Sequence, residues 1–314
     1  MSTVFLSQTF RVSALSAVFF ISSFGVVGNL YLFVRFVAKK NLNAFQTICL
    51  LKSLCNLIIC LSFLFWVFPT LFLSLTFVEV NYVLNRLNGL IAGTAAFFLS
   101  SLLNVLNSGN RFFALQCPFG LKKLHRIPIT SLSIGIAVIL VIVFCSSTIP
   151  TGCGFLFDPD LYVWRPEFSS CSSKFAVFIP YFIFATTSTT VFFNVTTLMS
   201  LMMLKMKGIK KEDADKRKKK WKTMFIQSLI QDCLQLCQIV CSYFLYKLSE
   251  AIWFRFVCMT LSFLTATTLD GLVMFICNGE FHPVILKQKT EQGDSFPMFT
   301  VVHSRASAKS QQIL

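Results

Sequence analysis

The stretch SLLNVLNSGNRFFALQCPF, Ser101–Phe119, sets Asn104, Asn107, Asn110 and Arg111 in a run otherwise fit for hydrocarbon. A charged side chain on a membrane helix is costly, so it is expected to face the bundle interior, find a partner or sit at the helix end. Ser100, Asn104, Asn107 and Arg111 are separated by four, three and four residues, which puts them on one side of a helix. Continued in the other direction, that face carries Phe97, Gly93 or Thr94, Leu90 and Arg86.

The rest of the chain has the same character. Of 314 residues, 55% are hydrophobic, 37 are Phe and only 13% are charged, and the mean hydropathy is +0.71. Soluble domains are not built this way. A spanning helix needs about 20 mostly apolar residues. Seven stretches qualify, 12–37, 46–73, 86–113, 129–150, 175–204, 223–247 and 252–278. The first run is too long for a signal peptide and is followed by Lys39-Lys40, so it reads as an uncleaved span. The expected fold is an all-α seven-transmembrane helix bundle occupying residues 1–287, with a cytoplasmic tail, 288–314, expected to be disordered.

Cationic loops resist translocation, so the side richer in Lys and Arg faces the cytoplasm. With the N-terminus outside, twenty-one cations fall on the inner side and six on the outer, with Lys52 left within span two. Ten of the twenty-one lie between Lys205 and Lys222. The expected orientation is therefore N-terminus outside and C-terminus cytoplasmic. The formal charge of +15 is mostly a topology signal, with attraction to anionic lipid added, and it does not point to nucleic acid.

Ten of the twelve cysteines lie in spans or at their inner ends. Cys153 and Cys171 alone fall in the longest outer loop, where they are expected to close a ring with each other. Cys233, Cys237 and Cys241 recur every four residues in span six, but no intramembrane His accompanies them, so packing is favoured over a metal stripe.

Span six carries Gln227, Gln231, Gln235, Gln238 and Ser242 along one side, with Asp232 beside them. Interhelical hydrogen bonding and a hydrated switching interior both fit this seam. Asp270 in span seven lies deep in hydrocarbon, where it must be protonated or paired. Lys52, one turn from Asn56 in span two, either pairs with it or snorkels to the interface.

From Ser108 the sequence S-G-N-R-F-F-A-L-Q-C-P resembles the end of the third helix of rhodopsin-like G-protein-coupled receptors, D/E-R-Y-x-A-I-x-x-P, from Arg111 to Pro118. Gly28-Asn29, Asn56 and Pro180 resemble that family's marks in helices one, two and five. Asp270–Met274, DGLVM, with Phe281 beyond, is similar to its N/D-P-x-x-Y motif, with Gly for Pro and Met for Tyr. Asn110 replaces the acid before Arg111, and spans four and six lack the usual Trp and C-W-x-P. No cysteine stands at the outer end of span three, which strengthens the case for a Cys153–Cys171 ring. The Phe-rich composition, N-R-F, Gly152-Cys153, and Trp164 before Cys171 together resemble the nematode serpentine chemoreceptors of class X.

The resemblance implies a chemosensory receptor that binds a small molecule and activates a heterotrimeric G protein, in the plasma membrane of sensory cilia. It implies no enzyme, metal or cofactor. Asn110, Arg111, Phe112, Asn56, Asp270 and Met274 would form the coupling and activation switch. Gly93, Thr94, Phe97, Tyr181, Tyr243 and Met259 would line the ligand pocket in the outer half of the bundle. No acid faces that pocket from span three, so a neutral ligand is expected. With an uncharged Asn110, basal activity is expected to be high unless another group holds Arg111. The segment 205–222 is expected to extend spans five and six as helix, HPVILKQK to form a short interfacial helix, and the tail, with Ser307 and Ser310 as phosphorylation sites, to meet an arrestin-type partner. The rival reading is a seven-span ligand-gated channel or small-solute transporter, for which a cytoplasmic N-terminus and an internal repeat would speak.

Overall fold

The computed structural model describes residues 8–116, 129–149, 152–203 and 211–277. Seven helices are long and apolar enough to cross a membrane. They are α1 (Gln8–Val37), α2 (Ala44–Phe72), α3 (Tyr82–Phe113), α4 (Ile129–Thr148), α5 (Ser170–Ser200), α6 (Thr223–Leu248) and α7 (Ile252–Cys277). Their ends lie within a few residues of those expected from hydropathy. The helix containing α6 begins earlier, at Lys211, so residues 211–222 of the basic segment continue it, while 204–210 lie outside the described residues. The expected interfacial helix and tail, with Phe281, Ser307 and Ser310, lie outside the described residues, as does Pro118.

The starts of several spans are encoded locally. Asn43 and Gln46 form a reciprocal capping box on α2: the Gln46 amide donates to Asn43 Oδ1 at 2.9 Å, and the Asn43 amide donates to Gln46 Oε1 at 3.2 Å. Asn81 Oδ1 accepts from the Leu84 amide at the start of α3, and Ser169 Oγ from the Ser172 amide at the start of α5.

α1 packs on α2 and α7, α3 on α2, α4 and α5, and α6 on α5 and α7. Large apolar side chains such as Phe20, Val27 and Phe65 point away from this assembly, as expected of a surface solvated by lipid. Between α1 and α7 the approach is unusually close. A Cβ on Gly271 would stand 2.8 Å from Asn29 Cγ, so a side chain there would force the Asn29 side chain to shift.

Four spans depart from regular α-helix. α2 is π-helical over Phe63–Val67, α3 over Gly89–Ala96, α6 over Val240–Phe244 and α7 over Phe256–Leu261. In α2 the wide turn ends two residues before Pro69, whose missing N–H cannot continue the regular ladder. Each i→i+5 turn holds an extra residue and rotates all that follows relative to a regular helix.

Between α4 and α5 a hairpin closes one end of the bundle, hereafter the hairpin end. β1 (Phe155–Asp158) pairs antiparallel with β2 (Val163–Pro166). Asp158 Oδ1 accepts from the amides of Asp160 and Leu161 across the turn, and Arg165 forms a 3.0 Å ion pair with Asp158 Oδ2. Burial pushes the Asp158 carboxyl up, against the opposing pull of Arg165 and those amides. Cys153 and Cys171 are disulfide-bonded, with Cα atoms 5.2 Å apart, within the normal range.

The hairpin is held from below. Asn85 of α3 donates through Nδ2 to the Phe157 carbonyl at 2.9 Å and accepts from the Phe157 amide at 3.0 Å, replacing a strand neighbour. Thr260 of α7 donates to the Tyr162 carbonyl at 2.5 Å. Phe157 is fully buried and packs on Trp164, which in turn faces Phe63 of α2. Arg86 and Tyr82 both reach Glu167, at 3.1 and 2.8 Å.

Candidate functional site: a buried polar core and a bridged arginine

Arg111 lies one turn beyond Asn107 on the seam of α3 and is buried, 4% exposed. Its Nη1 donates to the Met224 carbonyl of α6 at 2.7 Å, and its guanidinium lies 5.3 Å from the centre of the Phe45 ring of α2. The first turn of membrane-embedded α6 is thus tied to α3. Nε and Nη2 are buried with no hydrogen-bond partner among the described residues. Neighbouring Phe112 packs against Phe193 of α5 at 5.2 Å, and Asn110 is half-buried.

Deeper in the bundle the two readings of Lys52 resolve. Its ammonium donates to Asp270 Oδ1 at 2.6 Å, and both side chains are buried. Asn56 donates through Nδ2 to Asp270 Oδ2 at 2.7 Å. The carboxylate therefore has a charged partner and a neutral donor, which is what an acid in hydrocarbon requires. Met274, one turn on from Asp270, is fully buried.

The polar seam of α6 bonds across to neighbouring helices. Asn104 donates to Gln235 Oε1 at 3.0 Å, and Gln235 Nε2 donates to Ser101 Oγ at 2.7 Å, joining α3 to α6. Asn194 of α5 donates to Asp232 Oδ2 at 2.9 Å and to Ser228 Oγ at 3.1 Å, joining α5 to α6. Between these bonds lies a small, partly open cavity. Lys52, Asn56, Ser100, Asn104, Gln231 and Asp270 contribute its polar wall, and Phe97, Phe263 and Leu234 part of its apolar wall.

Of the six residues expected to line a pocket, only Phe97 lines this cavity. Tyr181 is 72% exposed and faces out of the bundle, because Ile179 and Ile183, four residues apart, hold the inward face of α5. Gly93 and Thr94 lie in the π-helical part of α3, Tyr243 in that of α6 and Met259 in that of α7. A face extrapolated at 3.6 residues per turn shifts across such turns. The cavity beside the Asp270 cluster sits where the helices are regular. Cys233 and Cys237 point outward and are exposed, whereas Cys241 is half-buried.

Three contributors carried no clear sequence signal. Asn85 looks like one more polar residue near a span end, Met224 contributes only its carbonyl, and Asn194 sits singly in α5. Asp232 is the one readable clue to Asn194, since an acid within a span demands a donor.

Seven spans around a buried polar interior, with the arginine of the third bridged to the sixth, define a seven-transmembrane receptor-type bundle. The family model described as serpentine type 7TM GPCR chemoreceptor Srx matches residues 19–278. The chain belongs to the Srx family of seven-transmembrane chemoreceptors and is a multi-pass membrane protein. None of the curated proteins compared with the chain matches it.

Proposed function

We propose that this receptor binds a small uncharged odorant-like or pheromone-like molecule and activates a heterotrimeric G protein at its arginine end, with the N-terminus and hairpin facing outward in the plasma membrane. The observation that carries this reading is the Arg111–Met224 bridge. It ties α3 to α6 at the arginine end, and release of α6 there would free a buried cation and open a cleft for a partner. A ligand that favours the released arrangement shifts a two-state bundle toward signalling.

The bridge also bears on Asn110. An acid before the arginine would hold it by charge, whereas here a backbone carbonyl and an aromatic face hold it instead. Another partner for Arg111 is therefore at hand, and low basal activity follows from it.

Expression of the full chain in cells with a second-messenger reporter tests the coupling. Arg111→Ala reaching the surface normally but giving no ligand response is expected, and an undiminished response overturns the coupling role. Protease accessibility of an N-terminal tag on intact cells tests the orientation, and a protected tag overturns it. Residence in sensory cilia is tested by imaging a tagged chain in chemosensory neurons.

A further inference from the structure

We propose that the cavity beneath Phe97 is the ligand site, and that it takes an uncharged molecule with a hydrogen-bond acceptor, a ketone, ester or alcohol oxygen, seated on the Gln231 side-chain amide. The proposal rests on the chemoreceptor reading above and gives it a place and a ligand chemistry.

The argument begins with which polar groups in the wall are already engaged. Lys52 and Asp270 neutralise one another at 2.6 Å, and Asn56 occupies the second carboxylate oxygen. A cationic ligand would meet a carboxylate already balanced, and an anionic one an ammonium already balanced. Either would enter low dielectric without a free countercharge. Asn104, Gln235 and Ser101 bond to each other across α3 and α6.

Gln231 differs. It lines the cavity and is 3% exposed, yet its Nε2 is buried with no hydrogen-bond partner among the described residues. A buried N–H without an acceptor is unfavourable, so this position favours an occupant that supplies one. Phe97 and Phe263 stand edge to face with ring centres 5.5 Å apart and, with Ile59 and Leu234, offer an apolar wall to the rest of the molecule.

The test uses the full-length receptor in lipid nanodiscs, with thermal stabilisation as a binding readout that needs no G protein. The probes are methyl ketones, methyl esters and primary alcohols of five to ten carbons, beside alkanes, amines and carboxylates of the same lengths. Members of the acceptor-bearing neutral set are expected to stabilise the receptor in preference to the others. Gln231→Met, which keeps the length and removes the donor, is expected to weaken that binding about tenfold. Ala266→Leu, which fills cavity space, is expected to abolish it.

Equal stabilisation by the matched alkanes, preference for a charged set, stabilisation by no acceptor-bearing probe, or full binding by either variant overturns the proposal. If probes stabilise the receptor through Gln231 yet evoke no second messenger, the site stands and the G-protein reading fails. If probes signal equally through wild type and Gln231→Met, the receptor reading stands and this site fails.

Discussion

Arg111 of α3 donates to the main-chain oxygen of Met224 in α6 across 2.7 Å, so the restraint on the arginine is a carbonyl and not a carboxylate. A carbonyl cannot be titrated or removed by a side-chain substitution. Movement of α6 breaks the contact, which makes the guanidinium a reporter of helix position.

Phe45 supplies the other half of that restraint, and a desolvated cation–π contact contributes about 2 kcal/mol. Phe45→Ala is expected to raise ligand-independent second-messenger output about tenfold at equal surface level. Unchanged basal output would show that the ring does not hold Arg111.

Lys52 and Asp270 should fail singly and recover together. Removing one partner of a buried pair leaves the other charge uncompensated, at about 3–5 kcal/mol. Lys52→Met and Asp270→Leu are each expected to lower surface yield severalfold, and the double substitution to restore much of it. A double variant as poor as the worse single one would sink the pairing as the cause.

The hairpin disulfide closes a sequence separation of 18, a loop for which chain entropy predicts about 3 kcal/mol. Cys153→Ser, Cys171→Ser and the double variant are expected to show the same lowered midpoint of thermal unfolding. Added reductant should bring wild type down to that value and leave the variants unmoved.

A side chain on Gly271 is expected to displace the Asn29 side chain that faces it. Gly271→Ala should destabilise by about 1–3 kcal/mol, the usual range for overpacking. Asn29→Ala should relieve most of that loss, whereas additive effects in a double-mutant cycle would show that the two residues do not meet.

Span existence was legible because roughly twenty apolar residues in a row have few other fates. The requirement that Asp270 find a partner was legible for the same reason, although the choice between Lys52 paired and Lys52 snorkelling was not. That choice depends on how near α2 and α7 come, which no residue pattern states. The pocket residues show the sharper limit. Helical spacing places Ser100, Asn104 and Phe97 together along regular α3, whereas Gly93 and Thr94 lie where the turn widens. Met224 was invisible because every residue owns a carbonyl.

Lys52 and Asp270 are 218 residues apart in the chain. A ribosome adding about 5–20 residues per second needs roughly 10–40 s to travel from one to the other. Throughout that interval the second span holds an ammonium whose carboxylate has not yet been made, at about 2.5–3.5 kcal/mol against staying in the bilayer. The bond that secures the finished core thus also sets a deadline during biosynthesis.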